Sequence, residues 1–476
     1  MKAFLRLSTA AAVLCHGLVA QFVHGTVVPR ASWQSWVQGE PVPIGGDAAP
    51  MATVYAFYTR PTHAAEFSAD GDYLAELQRR HEKDGLVVVA VVRDAKVEGA
   101  ARWPGCRIVA DGEDATATAW LGDAEWPWNI VVVDRSGVLV FFGSIESGLV
   151  DATEAALQGR DVLDAERLAL AARQDLPMIF DDVVAAQARS ELEKLLVHAP
   201  RDGVAWGLFY LTQATKFTDV GAAKKVRQQA LERLAAEPRP LAAFASLAMR
   251  GDAQGEGLIA ALVAPLQAAA VAAPHDVVVQ LAYLRALVLT GADRDAGRQA
   301  MRMRKQVSGS AEHCLEFAAV LTADKSAVVH RDLATSAIER AMTLGAPPRL
   351  LAAARYGVAV RCAEDPEQGK LIVEQYLGDN EQRVEINNDC WYFLTQLPTM
   401  GRCDWFATGL AERMLEQREA MDYFEFDTVA LAMFLVGRTK EAVELQQAAI
   451  EKGGKGNPEY VERLRRYKAR VAPAPR

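Results

Sequence analysis

The sequence predicts two regions of different fold class, an α/β domain over residues 30–160 and an all-α region over residues 162–470. Two observations predict this division. The first region alternates short runs of β-branched residues with stretches of helical composition, as α/β folds do. The second region is rich in Ala and Leu, has few β-branched runs, and places small residues at a nearly constant spacing, which is typical of helical repeats.

Composition narrows the possible partners. The chain has 476 residues, 51% of them hydrophobic and 24% charged, which is ordinary for a globular protein. Lys and Arg number 52 against 61 Asp and Glu, so the net charge is −9. Because an acidic chain without a basic block repels phosphate-rich surfaces, we expect no nucleic-acid partner.

The first 25 residues predict export. Met1–Arg6 is a short basic start, and the apolar stretch Leu7–Val23 that follows is interrupted by polar residues. Because its apolar run is too short to span a bilayer, residues 1–25 are interpreted as a secretory signal peptide. We therefore expect a periplasmic or secreted protein that does not insert into the membrane after the signal is removed.

Within residues 30–160, apolar runs rich in Val and Ile predict buried strands. Stretches of helical composition separate them at 63–84, 114–121 and 147–158, and Asp134–Gly137 is a turn by composition. This order predicts a mixed sheet with a central parallel pair, a terminal antiparallel hairpin and helices on both faces. The predicted strands are Thr53–Tyr58, Leu86–Val92, Arg107–Ala110, Asn129–Val133 and Val138–Phe142.

Several short motifs follow one another along this region, namely Gly39–Pro43, Val54–Tyr58, Trp126–Pro127, Asn129–Asp134, Gly137 and Phe142–Gly143. In this order they resemble the thioredoxin-like fold, and in particular its exported thiol-reductase and peroxiredoxin-like subgroup. The resemblance implies that Pro127 occupies the position of the family's cis-proline, which faces the redox site.

The chain departs from that family at the two redox cysteines. Alignment on Phe57–Tyr58 places Thr62 and Ala65 where the cysteines belong. A threonine hydroxyl is not ionised at neutral pH and alanine has no reactive group, so thiol–disulfide exchange lacks both of its reagents. We therefore expect a redox-inactive domain without catalytic residues and without a cofactor.

Other chemistry at this position has weaker support. Thr62 beside His63 could be a nucleophile and a base, but a threonine here is a good helix cap. His63 and Glu66 supply only two metal ligands, so no metal site is predicted. His63 remains a binding candidate together with Trp126 and Trp128, which lie beside Pro127 in a cluster of tryptophans that also includes Trp103 and Trp120.

In the all-α region, small residues recur with a period of about 36 residues, since the anchor alanines are separated by 74, 38, 73 and 35 positions. The stretch Phe426–Lys452 resembles a tetratricopeptide repeat most directly. The resemblance implies an α-solenoid of helix hairpins over residues 162–470, followed by a flexible tail at 471–476. The anchors are Ala222, Ala296, Ala334, Ala407 and Ala442.

Together these features predict an exported, non-catalytic scaffold that binds protein or peptide through the solenoid groove. Two alternatives stay open at this point: a thiol–disulfide or peroxide oxidoreductase that uses Cys106, and a module that handles a small ligand or metal at the tryptophans. The sequence leaves open whether Cys390 and Cys403 form a disulfide. Charged positions that could face a groove are Asp293, Arg294, Asp295, Arg298, Arg302, Arg304 and Lys305.

Overall fold

The computed structural model describes residues 25–31, 33–59, 67–94, 103–112, 114–121, 129–160, 182–216, 220–249, 257–323, 330–378, 382–395, 399 and 401–471. These residues fall into two compact units. The first contains the described residues up to Arg160 together with Lys194–Asp202, and the second contains residues 182–193 and those from Gly203 onward. The first unit is α/β and the second is all-α, which confirms the predicted fold classes.

The first unit is built on a mixed sheet of six strands in the order β1-β4-β3-β2-β5-β6. Strands β2, β3 and β4 run parallel, while β1 pairs antiparallel with β4 and the β5–β6 hairpin continues antiparallel from β2. The strands are β1 (Ser35–Gln38), β2 (Ala52–Tyr58), β3 (Leu86–Val92), β4 (Arg107–Ala110), β5 (Ile130–Asp134) and β6 (Leu139–Gly143).

Helices cover both faces of this sheet, which is why β2 is buried along its whole length. Side chains alternate along β2, so Val54 and Ala56 join one core cluster while Tyr55 and Phe57 join the other. The first cluster includes residues of α1 and α3, and the second includes residues of α2. These helices are α1 (Phe67–His81), α2 (Ala115–Leu121) and α3 (Leu149–Leu157).

The predicted strands are confirmed, each within one residue at either end. The sheet differs from the expectation in two respects. Its parallel part contains the three strands β2, β3 and β4 rather than a central pair, and the short edge strand β1 was not predicted. Strand β1 has only four residues, and its pairing depends on β4, which lies about 70 residues further along the chain.

In its described residues, the second unit contains α-helices of 9 to 17 residues, two π-helical segments and two short 3-10 segments. The helices are α4 (Asp182–His198, whose last residues belong to the first unit), α5 (Gly203–Leu211), α6 (Val220–Leu234), α7 (Pro238–Ala248), α8 (Leu258–Ala272), α9 (Val277–Leu289), α10 (Asp293–Val307), α11 (Ala311–Leu321), α12 (Arg331–Thr343), α13 (Pro348–Gly357), α14 (Pro366–Leu377), α15 (Arg383–Thr395), α16 (Asp404–Leu415), α17 (Tyr423–Leu435), α18 (Thr439–Lys452) and α19 (Pro458–Val471).

Packing within this unit links every second helix. Helix α7 packs between α5 and α9, and α11 packs between α9 and α13. The intervening helices α6, α8, α10 and α12 lie against their sequence neighbours in this row. Helix α9 is apolar on nearly all sides because it is enclosed in this way, whereas α10 is amphipathic and exposes a charged face.

The anchor alanines lie on alternate helices. Ala296, Ala334, Ala407 and Ala442 are fully buried on α10, α12, α16 and α18, and Ala222 is half-buried on α6. Across the described residues, no helix is long and apolar enough to cross a membrane.

Candidate functional site

The predicted site residues of the first unit lie outside the described residues. Thr62, His63 and Ala65 fall within residues 60–66, and Trp126, Pro127 and Trp128 fall within residues 122–128. Their roles therefore stay predictions. The structure does describe the residues on both sides of these two stretches.

The residues that flank the two stretches lie side by side at the carboxyl end of β2. Asn129 precedes β5, and its Nδ2 donates to the Phe57 carbonyl oxygen at 3.2 Å. The Phe57 N–H donates in turn to the Asn129 carbonyl oxygen at 2.8 Å. Thr59, which follows β2, is buried, and its hydroxyl makes no hydrogen bond within the described part of the chain.

Four buried side chains pack together at the carboxyl end of β2, namely those of Tyr58, Phe67, Asp70 and Trp103. The Tyr58 hydroxyl lies 2.9 Å from Asp70 Oδ2, to which it donates a hydrogen bond. The Phe67 and Trp103 rings stack with their centroids 5.0 Å apart, and Trp103 Nε1 donates to the Phe67 carbonyl oxygen at 3.1 Å. These contacts tie the described start of α1 to the end of β2.

Trp103 and Trp120 are core residues on opposite faces of the sheet. These two side chains therefore cannot line one ligand-binding patch on the surface. Both are fully buried, Trp103 in the cluster of α1 and α3 and Trp120 in that of α2. Trp120 contacts Tyr55 edge-on at 4.9 Å, and its Nε1 donates to the Pro29 carbonyl oxygen at 3.0 Å. Buried indoles satisfy their N–H in this way when they pack in a core.

The described cysteines are all free thiols, and none is exposed. Cys106 is the first unit's only described cysteine, and burial raises its pKa to about 12. Burial also raises the pKa of Cys403 to about 12 and that of Cys314 to about 11. Cys390 and Cys403, the nearest pair in the sequence, are separate thiols here. A buried thiol with a raised pKa is a poor nucleophile.

Carboxylates, histidines and cysteines do not gather into a metal-binding group of three or more anywhere in the described ranges. Asp111 illustrates what a buried carboxylate does in this fold. Its oxygens accept the backbone N–H groups of Thr116 and Ala117 at 3.1 and 2.8 Å, so it caps α2.

In the second unit, the charged positions on α10 that the sequence suggested are exposed, and Asp295 pairs with Arg298. A different set of charged residues forms contacts along the row of α9, α11 and α13. Arg285 of α9 donates to the Gly401 carbonyl oxygen at 3.3 Å, and Arg402 pairs with Glu316 of α11 at 2.8 Å. Local sequence patterns carry no signal for these residues because the partners lie 116 and 86 positions apart along the chain.

Neither a protein-family model nor a curated protein matches this chain.

Proposed function

We propose that this protein is an exported, non-catalytic scaffold that binds other proteins or peptides. In this proposal a redox-inactive thioredoxin-like domain precedes a tetratricopeptide-like solenoid. The strand and helix order of the first unit supports the thioredoxin-like assignment, because parallel strands β2 and β3 and the β5–β6 hairpin follow one another as that fold requires.

The spacing of small residues supports the solenoid assignment. Every second helix from α6 to α18 carries an anchor alanine, except α8 and α14. Gly369 on α14 supplies one missing member, since it lies 35 residues after Ala334 and 38 before Ala407. A Cβ on Gly369 would lie 2.6 Å from Val360 Cγ2, so any larger residue here would force Val360 to shift.

The burial of Cys106 is the observation that carries the non-catalytic part of the proposal. Its side chain is 2% exposed, and the pKa of about 12 leaves about one thiolate in 10⁴ at pH 8. An oxidoreductase that uses Cys106 would need an accessible thiolate. The placement of Trp103 and Trp120 in separate cores likewise removes support for a ligand site built from the tryptophans together.

Two assays test the proposal on the purified full chain. Insulin reduction and peroxide consumption should stay at the background rate for the wild type and for Cys106→Ser alike. Thiol-dependent turnover that disappears in Cys106→Ser would contradict the proposal. Selection of displayed peptides on the immobilised chain should enrich specific sequences, and a chain that retains none would refute the binding role.

A gain-of-function variant tests the thioredoxin-like assignment itself. Thr62→Cys with Ala65→Cys would restore two thiols at the family's spacing. We expect this double variant to form a disulfide and to reduce insulin if the domain is thioredoxin-like, because in that fold the first cysteine lies at a helix start, which lowers the pKa of its thiol. The control moves the pair to Thr116→Cys with Ala119→Cys at the start of α2, which should remain inactive because Thr116 is buried and burial raises the pKa of a thiol and blocks its access to insulin.

A further inference from the structure

The residues just before α16 contact two helices of the row through polar groups. Gly401, Arg402 and Cys403 are far along the chain from α9 and α11, yet they make two polar contacts to them. Arg285 Nη2 of α9 donates to the Gly401 carbonyl oxygen at 3.3 Å, and Arg402 Nη2 lies 2.8 Å from Glu316 Oε1 of α11. One contact holds a backbone carbonyl and the other holds a basic side chain.

The acceptor surface is the partly open side of α11. Glu312, Glu316 and Ala319 of α11 and Ala323, two residues past its end, follow at spacings of 4, 3 and 4 and so continue along one side of the helix, and none of them is buried. We call these residues the α11 stripe. It presents two carboxylates one helical turn apart and then two small residues.

Charge makes this stripe selective for a cation. Although burial lowers the pKa of the Arg402 guanidinium, the carboxylates of Glu316 and Glu312 together raise it above its ordinary value. The side chains of Arg402 and Glu316 are 27% and 15% exposed, so their ion pair is screened less than a surface pair. Arginine is also the side chain whose planar donors suit carboxylates best.

The next contacts along the row hold the start of α16 in place. Arg361 donates to the Ala323 carbonyl oxygen at 3.4 Å, at the far end of the α11 stripe. Its guanidinium carbon lies 4.3 Å from the centroid of the Trp405 ring, over which it stacks. Within the loop, Gly401 N–H donates to Asp404 Oδ1 at 3.0 Å, and the Arg402 and Cys403 N–H groups donate to Thr399.

We propose that the α11 stripe, together with Arg285, is a binding site for a peptide segment that presents an arginine from a turn, as Gly401, Arg402 and Cys403 do. Gly401, Arg402 and Cys403 are its intramolecular occupant in the unliganded protein. An external segment binds by displacing them. One of its backbone carbonyl oxygens then accepts the hydrogen bond from Arg285, and its guanidinium pairs with Glu316. This inference rests on the proposed peptide-binding function and names both the partner class and the site.

An intramolecular occupant lowers the apparent affinity for an external one, because only the fraction of molecules with a vacated stripe can bind. Removing the Arg402 side chain should raise that fraction. The proposal therefore predicts that loss of a side chain increases binding, which simple loss of packing would not do.

The probe is a fluorescent synthetic peptide with the sequence of residues 397–405 in which serine replaces Cys403. Fluorescence anisotropy on the full chain should show weak binding to the wild type and binding about tenfold tighter or more to Arg402→Ala. Adding Glu316→Gln to Arg402→Ala should abolish the gain, and a peptide with alanine at the arginine position should not bind. Arg349→Ala, which alters an exposed arginine that bonds Tyr392, is the matched control and should behave as the wild type.

Hydrogen–deuterium exchange on the wild type gives a readout that needs no variant. Excess arginine peptide should accelerate exchange of the amides at 401–403, and the alanine peptide should leave it unchanged. The inference is overturned if Arg402→Ala, shown to be folded by its circular dichroism and Tm, binds the arginine peptide no more tightly than the wild type does. It is also overturned if exchange at 401–403 does not respond. If peptides selected on the wild type still bind in either case, the proposed function stands and only this site fails.

Discussion

At the scale of single residues, the environment of Cys106 sets the chemistry open to the first unit. The pKa of its thiol is raised from 9 to about 12 because the side chain is buried. The folded protein therefore holds the thiol proton over a pH range in which the unfolded chain releases it. Stability must fall as pH rises from about 9 to 12, since the unfolded state then binds fewer protons than the folded state.

The same burial predicts slow modification. At about pH 8 a thiol-specific disulfide reagent should label Cys106 at least about a hundredfold more slowly in the native chain than in guanidinium chloride. In the native chain the reagent cannot reach the buried thiol, and the thiol remains protonated. Mass-spectrometric mapping of the labelled peptides would measure the rate at each cysteine. Labelling of native Cys106 as fast as in the unfolded chain would contradict the buried, inert thiol described here.

Charged residues show what a sequence leaves undetermined at this scale. The basic run of α19 is typical of a solvated helix face, yet Arg463 is only 11% exposed and pairs with Asp427 and Glu459. Asp427 also accepts from Gln446 Nε2 at 2.8 Å. Arg463 lies 36 residues after Asp427, and local spacing carries no information about a partner at that distance.

At the scale of helices and strands, local pattern predicts most of the observed elements because each buries an apolar face. Leu86–Val92 is an uninterrupted apolar run, and it forms β3 over those same residues. Tyr73, Leu74 and Leu77 share a face by their spacing, and all three are buried on α1. Strand β1 was missed because Ser35–Gln38 is short and half-exposed, so only its pairing with β4 defines it.

Close helix packing gives the prediction at this scale. Helix α5 approaches α7 through Gly203 and Gly207: a Cβ on Gly203 would overlap the Pro240 carbonyl, and one on Gly207 would lie 2.6 Å from Leu247 Cδ1. Gly203→Ala should therefore lower the free energy of unfolding by about 1–3 kcal/mol, because a backbone carbonyl cannot turn aside as a side chain can. Urea denaturation of the full chain, followed by circular dichroism, would measure the change.

A glycine in an open part of another helix is the matched control. Gly297 lies inside α10, where among the described residues an added Cβ would meet only His330 Cε1, at an ordinary 3.5 Å. Gly297→Ala should therefore be neutral or stabilising by up to about 1 kcal/mol, as alanine is the better helix former. Equal effects at Gly203 and Gly297 would show that the α5–α7 contact is looser than described.

At the scale of the whole molecule, the first unit includes residues that lie beyond its α/β region. The composition becomes helical throughout after about residue 160, yet Lys194–Asp202 belongs to the first unit. Arg201 makes that connection: its Nε lies 2.7 Å from Asp151 Oδ1, and its two terminal nitrogens bond both oxygens of Glu154. Composition marks where helices begin to dominate, whereas a contact between residues 50 positions apart joins Arg201 to α3.

Arg201→Met should consequently loosen the first unit by about 2 kcal/mol, less than a fully buried pair because Arg201 is 22% exposed. Arg201 lowers the pKa of Glu154 below its ordinary value, so this stabilisation is present at neutral pH and is lost as pH falls through that lowered pKa. Asp151 is the opposite case: burial raises its pKa despite Arg201, so its carboxylate costs stability at neutral pH and the cost disappears in acid.

Hydrogen exchange along α3 should therefore report a large difference between variant and wild type at about pH 7 that shrinks towards about pH 3. Arg189→Met is the control, since Arg189 and Glu193 are exposed and their pair is worth less than about 0.5 kcal/mol. If the loss of stability in Arg201→Met persists unchanged in acid, Arg201 acts through packing of its aliphatic carbons and not through its charge. If Arg189→Met and Arg201→Met have equal effects, Lys194–Asp202 does not stabilise this unit.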